Sequence, residues 1–125
     1  MRTFHLILVF IFSSSLAIFG QFSLPSLNYS YKSLEPYIDS TTMRIHYSAH
    51  HAAYVTNLNK ALEKYPNLQK KELTYLLENI NTLPKEIQTS VRNNGGGHYN
   101  HSLFLEFIDS RRKLDDNTRS RKIAD

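Results

Sequence analysis

From Pro36 to Pro66 the chain contains neither glycine nor proline. Such a stretch offers nothing to break a helix and no punctuation for strands or hairpins. The segment "DSTTMRIHYSAHHAAYVTNLNKALEKYP" therefore predicts one long helix, roughly Thr41 to Tyr65, with Ser40 or Thr41 as N-cap and Pro66 as its stop. Downstream, Leu73, Leu76, Leu77 and Ile80 recur at i, i+3, i+4, i+7, which is amphipathic helical spacing. Thr82 is positioned to cap a further helix, with Pro84 just inside it and Glu86 close behind. No segment alternates in a β pattern. The expected fold class is all-α, a long antiparallel helical hairpin, preceded by an extended arm, "FSLPSLNYSYKSLEPYI", that carries Pro25 and Pro36.

With 125 residues the chain has room for one small domain, and its 41% hydrophobic content with eight Tyr and seven Phe supplies a core. Cysteine is absent, so neither disulfides nor thiolate chemistry are available. The formal charge of +4 does not mark a nucleic-acid binder. Six of the fifteen basic residues crowd into positions 109–125, interleaved with Asp109, Asp115, Asp116 and Asp125, which reads as a solvated tail.

Residues 1–20 combine Arg2, the apolar run "FHLILVFIF" and small residues at Ser15, Ala17 and Gly20, the layout of a secretory signal peptide cut near Ala17 or Gly20. The run falls short of the roughly 20 residues that span a bilayer. An uncleaved anchor is the alternative, because Leu16 to Phe19 extends the apolar character. With cleavage, the mature chain is expected outside the cell and free of the membrane.

Five of the six histidines lie in two clusters. His46, His50 and Tyr54 are spaced i, i+4, i+8, and Asn94, His98, His101 and Leu105 are spaced i, i+4, i+7, i+11, each set forming one helical stripe. Two imidazole-bearing stripes on neighbouring helices can aim ring nitrogens at one point, and imidazole suits Mn, Fe, Zn and Cu. The zinc-protease pattern is absent, since no Glu follows His46. Between the stripes Gly95, Gly96 and Gly97 stand in a row. Propensity alone makes them a helix break, each costing about 1 kcal/mol relative to Ala. The other use of glycine is to let a neighbour approach closely.

"IHYSAHHAAYVTNLNKALEKYP" and "RNNGGGHYNHSLF" resemble the N-terminal half of iron/manganese superoxide dismutases, and "LPSLNYSYKSLEPYID" is similar to that family's entry arm. The resemblance implies an α-hairpin domain over residues 21–108, with a charged tail outside the family pattern over 109–125. It implies dismutation of two superoxide ions to dioxygen and hydrogen peroxide at a metal held by three His, one Asp and solvent. Carried over by motif, His46 and His101 are two metal ligands, Tyr54 the gateway tyrosine and His50 the neighbouring funnel histidine. His98 and Asn100 are structural or outer-shell residues. The glycine run before His98 favours manganese, with iron as the alternative, and implies that the helix continues through the glycines.

The chain departs from the pattern at two points. Leu105 occupies the position of a tryptophan that walls the metal site, and no Trp occurs in the sequence. The family's C-terminal α/β domain, with the Asp and third His ligands, is missing from these residues. Two histidines alone should hold manganese weakly. An isolated hairpin should show little activity and should associate through its uncovered apolar face, with itself or with a full-length homologue. A rival reading makes the chain a non-catalytic helical partner of such a homologue. Asn28-Tyr29-Ser30 and Asn100-His101-Ser102 both match the N-glycosylation acceptor pattern. The first is expected to be usable and the second unmodified.

Overall fold

A computed structural model describes residues 22–124, with side chains described through Arg119; the signal-like segment 1–20 lies outside the described residues. The elements are α1 (Ser40–Ile45), α2 (Ala52–Leu62), α3 (Pro66–Gln69), α4 (Leu73–Glu78), α5 (Lys85–Ser90) and α6 (Gly96–Ala124). Single 3₁₀ turns occupy Tyr31–Leu34 and Ile80–Thr82. Two wide π turns, His46–His51 and Val91–Gly95, join α1 to α2 and α5 to α6 without leaving helical backbone angles. The result is two long rods. The first runs through α1 and α2, the second through α5 and α6. The second π turn and α5 pack on α2, whereas α6 reaches the first π turn, so the rods are antiparallel. Among the described residues there is no strand, and no helix is long and apolar enough to cross a membrane.

The first rod begins one residue earlier than expected. Asp39, not Ser40 or Thr41, is the N-cap, accepting from the Thr42 amide at 2.9 Å and from Thr42 Oγ1 at 2.6 Å. A carboxylate outcompetes a hydroxyl there because it offers two acceptor oxygens to the helix start. Those two bonds hold the Asp39 carboxyl below its usual range. The rod ends at Leu62, short of the predicted Tyr65. Proline disfavours helical angles at the residue before it, and Tyr65 is accordingly turned out (φ −126°, ψ 70°). Pro66 thus bars the first rod from continuing, as expected, and has a second role. It opens α3 at the first helical position, where its missing N–H costs no bond. Gln69 Nε2 then donates back to the end-of-helix carbonyls of Leu62 (2.9 Å), which also accepts from the Tyr65 amide, and Glu63 (3.3 Å). Thr82, expected as a cap, instead closes the 3₁₀ turn by donating to Asn79 O at 2.8 Å. Pro84 is the N-cap of α5, and its hydrocarbon ring has no acceptor with which to cap the helix.

The core lies between the rods and the α4 crossing. Leu58 and Leu62 of α2 meet Leu76, Leu83, Ile87 and Val91. Phe22 of the arm packs on this cluster, and Asn59 clamps its backbone twice, through Phe22 N (2.9 Å) and Phe22 O (2.8 Å). Further along, Tyr47 Oη donates to Pro25 O at 2.7 Å. The arm is thus sewn to the first rod by side chains that satisfy its backbone where no sheet is available.

The predicted helix break does not occur. All three glycines remain helical, and packing explains their presence. A Cβ on Gly97 would fall 2.5 Å from the Tyr54 ring, and one on Gly95 would press on Leu77 and Leu73 at 3.2 and 3.3 Å. At Gly96 a Cβ would meet nothing within 4 Å.

Residues 109–124 continue α6 where a solvated tail was expected. Asp109 is buried, held by Lys113 Nζ (2.7 Å) and Arg112 Nη2 (3.0 Å), while Arg112 also reaches Asp116 at 2.9 Å and lies over the Tyr29 ring.

The glycines yield a paired prediction. Gly97→Ala should destabilise the chain by about 1–3 kcal/mol, because the Tyr54 ring must be displaced. Gly96→Ala should stabilise it by about 0.4–1 kcal/mol, since alanine is the better helix former and space is free. Urea denaturation of both variants beside the parent checks the pair; equal effects would contradict the close-approach account.

Candidate metal centre

Where α6 leaves Gly97, the two rods are close enough for side chains to meet face to face. His46 and His101 stack with ring centroids 4.4 Å apart and planes inclined by 21°. Tyr54, in the first turn of α2, brings its ring to 5.2 Å from His101. Phe104 closes the outer side, edge-on to His46 at 5.1 Å. His50 is exposed and lines a shallow depression with Ala49, Ala53, Tyr54 and Asn57, beside the stacked pair. Asn100 is exposed on α6.

The tautomer of His101 is fixed by its surroundings. Nδ1 lies 2.8 Å from Gly97 O, and a carbonyl oxygen only accepts, so Nδ1 carries the proton. The Nε2 lone pair of the neutral ring is thereby left as a donor to a cation, the arrangement metal-binding imidazoles use. At His46, burial first, then the neighbouring His101 and His50, push the ring's pKa below its usual value, which keeps a lone pair available. Two neutral imidazoles side by side suit a borderline transition metal. Among the described residues, however, no three His, Asp or Glu side chains are arranged to hold a metal by themselves.

One participant escaped the periodicity argument. His51 is fully buried at the centre of the cluster, 5.3 Å from His101 by ring centroid, and its Nε2 meets His98 Nδ1 at 2.7 Å. The cause is the π turn. In an α-helix residue i+4 lies almost above residue i; a turn closed by i to i+5 bonds places i+5 there instead. His51 therefore joins His46 on the inner face, while His50 is carried outward. A signal was present all the same. His51, Val55, Leu58 and Leu62 are spaced i, i+4, i+7, i+11, the stripe that forms the core, and all four are buried.

The buried pair has one sensible proton arrangement. His51 Nδ1 has no hydrogen-bond partner, and an orphan lone pair costs less than an orphan N–H. We therefore assign the proton to His51 Nε2, which donates to His98 Nδ1; Ser102 Oγ lies 3.5 Å from the same nitrogen. Phe22 of the arm seals His98 edge-on at 6.0 Å. His98 is buried between the arm and the first rod. Burial, followed by the charges His98, His101 and His46 would carry, drives His51 down from 6.5 to about 4.

Leu105 is buried, at 4% exposure, yet leaves space beside it. A cleft of about 270 Å³ opens between α6 and the arm, bounded by Leu105, Ser102, Asp109 and the stretch Pro25 to Tyr29. The smaller side chain therefore comes with a gap between α6 and the arm.

The helical hairpin brings two imidazoles and a tyrosine ring together between its rods. Residues 21–109 match the family described as iron/manganese superoxide dismutases, alpha-hairpin domain, and the chain belongs to that family. It is 61% identical over 92 residues to a "Superoxide dismutase [Mn] 2" of Bacillus anthracis, covering 74% of this chain and 44% of the relative. It is 63% identical over 87 residues to a "Superoxide dismutase [Mn]" of Thermus aquaticus, covering 70% and 43%. A "Superoxide dismutase [Mn] 1" of Leptolyngbya boryana is 51% identical over 85 residues, 68% and 34%. The chain spans less than half the length of these curated relatives.

The His51 environment predicts a pH dependence. Its folded pKa is depressed, so between pH 6.5 and about 4 the unfolded chain takes up a proton that the folded chain refuses. Stability is present above that window and is lost as pH falls through it; His46 and His98, also lowered, act with the same sign. Thermal melts of metal-free protein across this range should show a falling midpoint, with a shallower fall in His51→Gln. A midpoint flat across the window would contradict the assignment.

Proposed function

We propose that residues 21–108 serve as the ligand-bearing α-hairpin of a manganese-dependent superoxide dismutase, with His46 and His101 as two of the metal donors. The observation that carries this is the His46–His101 stack, with His101 Nδ1 tied to Gly97 O and its Nε2 left free. Bound manganese supplies the one-electron cycle between +3 and +2 that dismutation of superoxide requires. Around it, the Tyr54 hydroxyl holds and delivers a proton, and exposed His50 lines the approach for the small anionic substrate. The buried His51–His98 pair fixes the inner wall. The manganese preference is supported by the names of the relatives and by the glycine run; iron is the alternative cofactor. Further donors, among them the hard oxygen that manganese favours, must come from outside the described residues. The same proposal takes residues 1–20 as a secretory leader, so that the chain works outside the cytosol.

A second reading is favoured by one observation. Leu103, Phe104 and Phe107 of α6 are exposed, Phe107 at 65%. A cluster of this kind suits a surface covered in an assembly. On this reading the chain is a non-catalytic hairpin that binds a full-length homologue or a second copy of itself.

The test combines the chain with manganese, alone and with the part of the Thermus aquaticus relative that it does not cover. Alone, it should retain little metal and show little superoxide decay. With the complementary part, metal retention and dismutation should appear, and His46→Ala or His101→Ala should each reduce both by at least about tenfold. Activity indifferent to either histidine would defeat the proposal, as would turnover by the chain alone near that of a complete enzyme. The association reading is checked by light scattering: the parent should form oligomers that Phe107→Asp dissociates, and a monodisperse monomer at high concentration would count against it.

A further inference from the structure

Of the two glycosylation acceptor patterns, the one at Asn28 lies on the arm and the one at Asn100 includes His101 of the metal centre, and the structure separates them sharply. Residues 27–30 belong to no helix or strand and bend at Asn28 and Tyr29, and their exposure alternates: Leu27 and Tyr29 are half-buried while Asn28 and Ser30 are exposed. The acceptor amide of Asn28 and the hydroxyl of Ser30 are therefore both open to solvent on a non-helical stretch of chain. Ser30 keeps extended angles (φ −76°, ψ 155°), and its Oγ is exposed, paired only with the exposed Ser33 Oγ at 2.9 Å. Tyr29 anchors the segment between them. Arg112 lies 5.7 Å from its ring centroid, and its hydroxyl is buried without a hydrogen-bond partner, so the neighbouring side chains are held outward.

Asn100 has the opposite geometry. It lies inside α6, where residues two apart do not share a face. Asn100 is exposed, but Ser102 is half-buried with its Oγ turned toward His98 Nδ1. His101, between them, is one of the stacked rings of the metal centre. A transferase that must engage asparagine and hydroxyl together finds both at Asn28 and cannot find both at Asn100 without unwinding the helix.

We propose that Asn28 carries an N-linked oligosaccharide and that Asn100 in the folded chain does not. The inference rests on the reading of residues 1–20 as a secretory leader, since the reaction requires a lumenal compartment. In the transfer, the Asn28 side-chain amide nitrogen bonds to the anomeric carbon of an oligosaccharide carried on a polyisoprenyl pyrophosphate. The bond from that carbon to the pyrophosphate oxygen breaks, the lipid pyrophosphate leaves with the electron pair, and the amide nitrogen gives up one proton. The glycan then projects from the rim of the cleft beside Leu105, since Asn28 forms part of its edge.

The experiment expresses the full chain in a eukaryotic secretory host in two forms, one with residues 1–20 and one with a proven signal sequence in their place. Secreted protein should show a single mobility step that peptide N-glycosidase removes. The step should be lost in Asn28→Gln and in Ser30→Ala and kept in Asn100→Gln, and mass spectrometry should find the glycan on the peptide containing Asn28. Protein secreted under the proven signal that lacks a glycan at Asn28, or that carries one at Asn100 in most molecules, would overturn the assignment. Retention of the first form in the cytosol beside glycosylated secretion of the second would overturn the reading of residues 1–20 and uphold the Asn28 site.

Discussion

The close approach of Tyr54 to Gly97 is the contact on which the rest of the centre depends. Gly97 contributes twice. Its missing Cβ admits the tyrosine ring, so the two rods can close, and its carbonyl accepts from His101 Nδ1, which orients the imidazole. One backbone position therefore sets both the separation of the helices and the direction of the His101 Nε2 lone pair. A side chain at this position would part the rods and move the ring it orients. The three glycines in a row thus have three different environments: Gly95 against leucines, Gly97 against Tyr54, and Gly96 in open space. Only two of them are explained by packing.

Helical content, the antiparallel pairing and the apolar stripe were legible because they follow from periodicity and from the absence of breakers between Pro36 and Pro66. The ends of the elements were less so. Asp39 displaced the expected hydroxyl caps because a carboxylate accepts two bonds at once. Pro66 is both a stop and a start, because the residue before a proline leaves helical angles while proline itself suits the first position of a helix, and only the first of these roles was read from the sequence. The glycines show the same limit from the other side. Propensity assigns each a cost, yet helical context on both sides and a ring that needs the space overrule it, which only the tertiary arrangement displays.

The site divides in the same way. His46, His101 and Tyr54 were visible as residues on two facing stripes, and the structure brings their rings together. His51 was missed because the stripe argument assumed a uniform α-helical pitch, and the π turn at His46–His51 alters that pitch just where it matters. Its burial was nonetheless written in its spacing from Val55, Leu58 and Leu62. Two tests, one for chemistry and one for core position, single out different histidines, and a residue that meets the core test can still lie against the chemistry. The second π turn, Val91–Gly95, lies on the other rod, takes in the first of the three glycines and packs on the leucine core, where Val91 is buried and Gly95 faces Leu73 and Leu77. The widened turn that bears on the imidazole cluster is His46–His51, and unusual helical closure is often put to use at such places.

The electrostatics of the cluster connect ligand binding to assembly. His46, His51 and His98 are all pushed toward the neutral form by burial first and then by neighbouring imidazoles, His101 acting on each of them. A group of neutral imidazoles can offer lone pairs, but it brings no negative charge with which to balance a multivalent cation in a partly desolvated place, and an unbalanced buried charge is costly. The balancing charge must arrive with other donors, and their arrival covers surface near the centre. Phe104 belongs to both sides of this account, since its ring packs on His46 while it stands exposed next to Leu103 on α6. On the proposed reading, covering the apolar end of α6 and completing the ligand set are coupled steps. Thermodynamic linkage then makes the coupling reciprocal: a complementary segment that tightens the metal must itself be held more tightly when the metal is present.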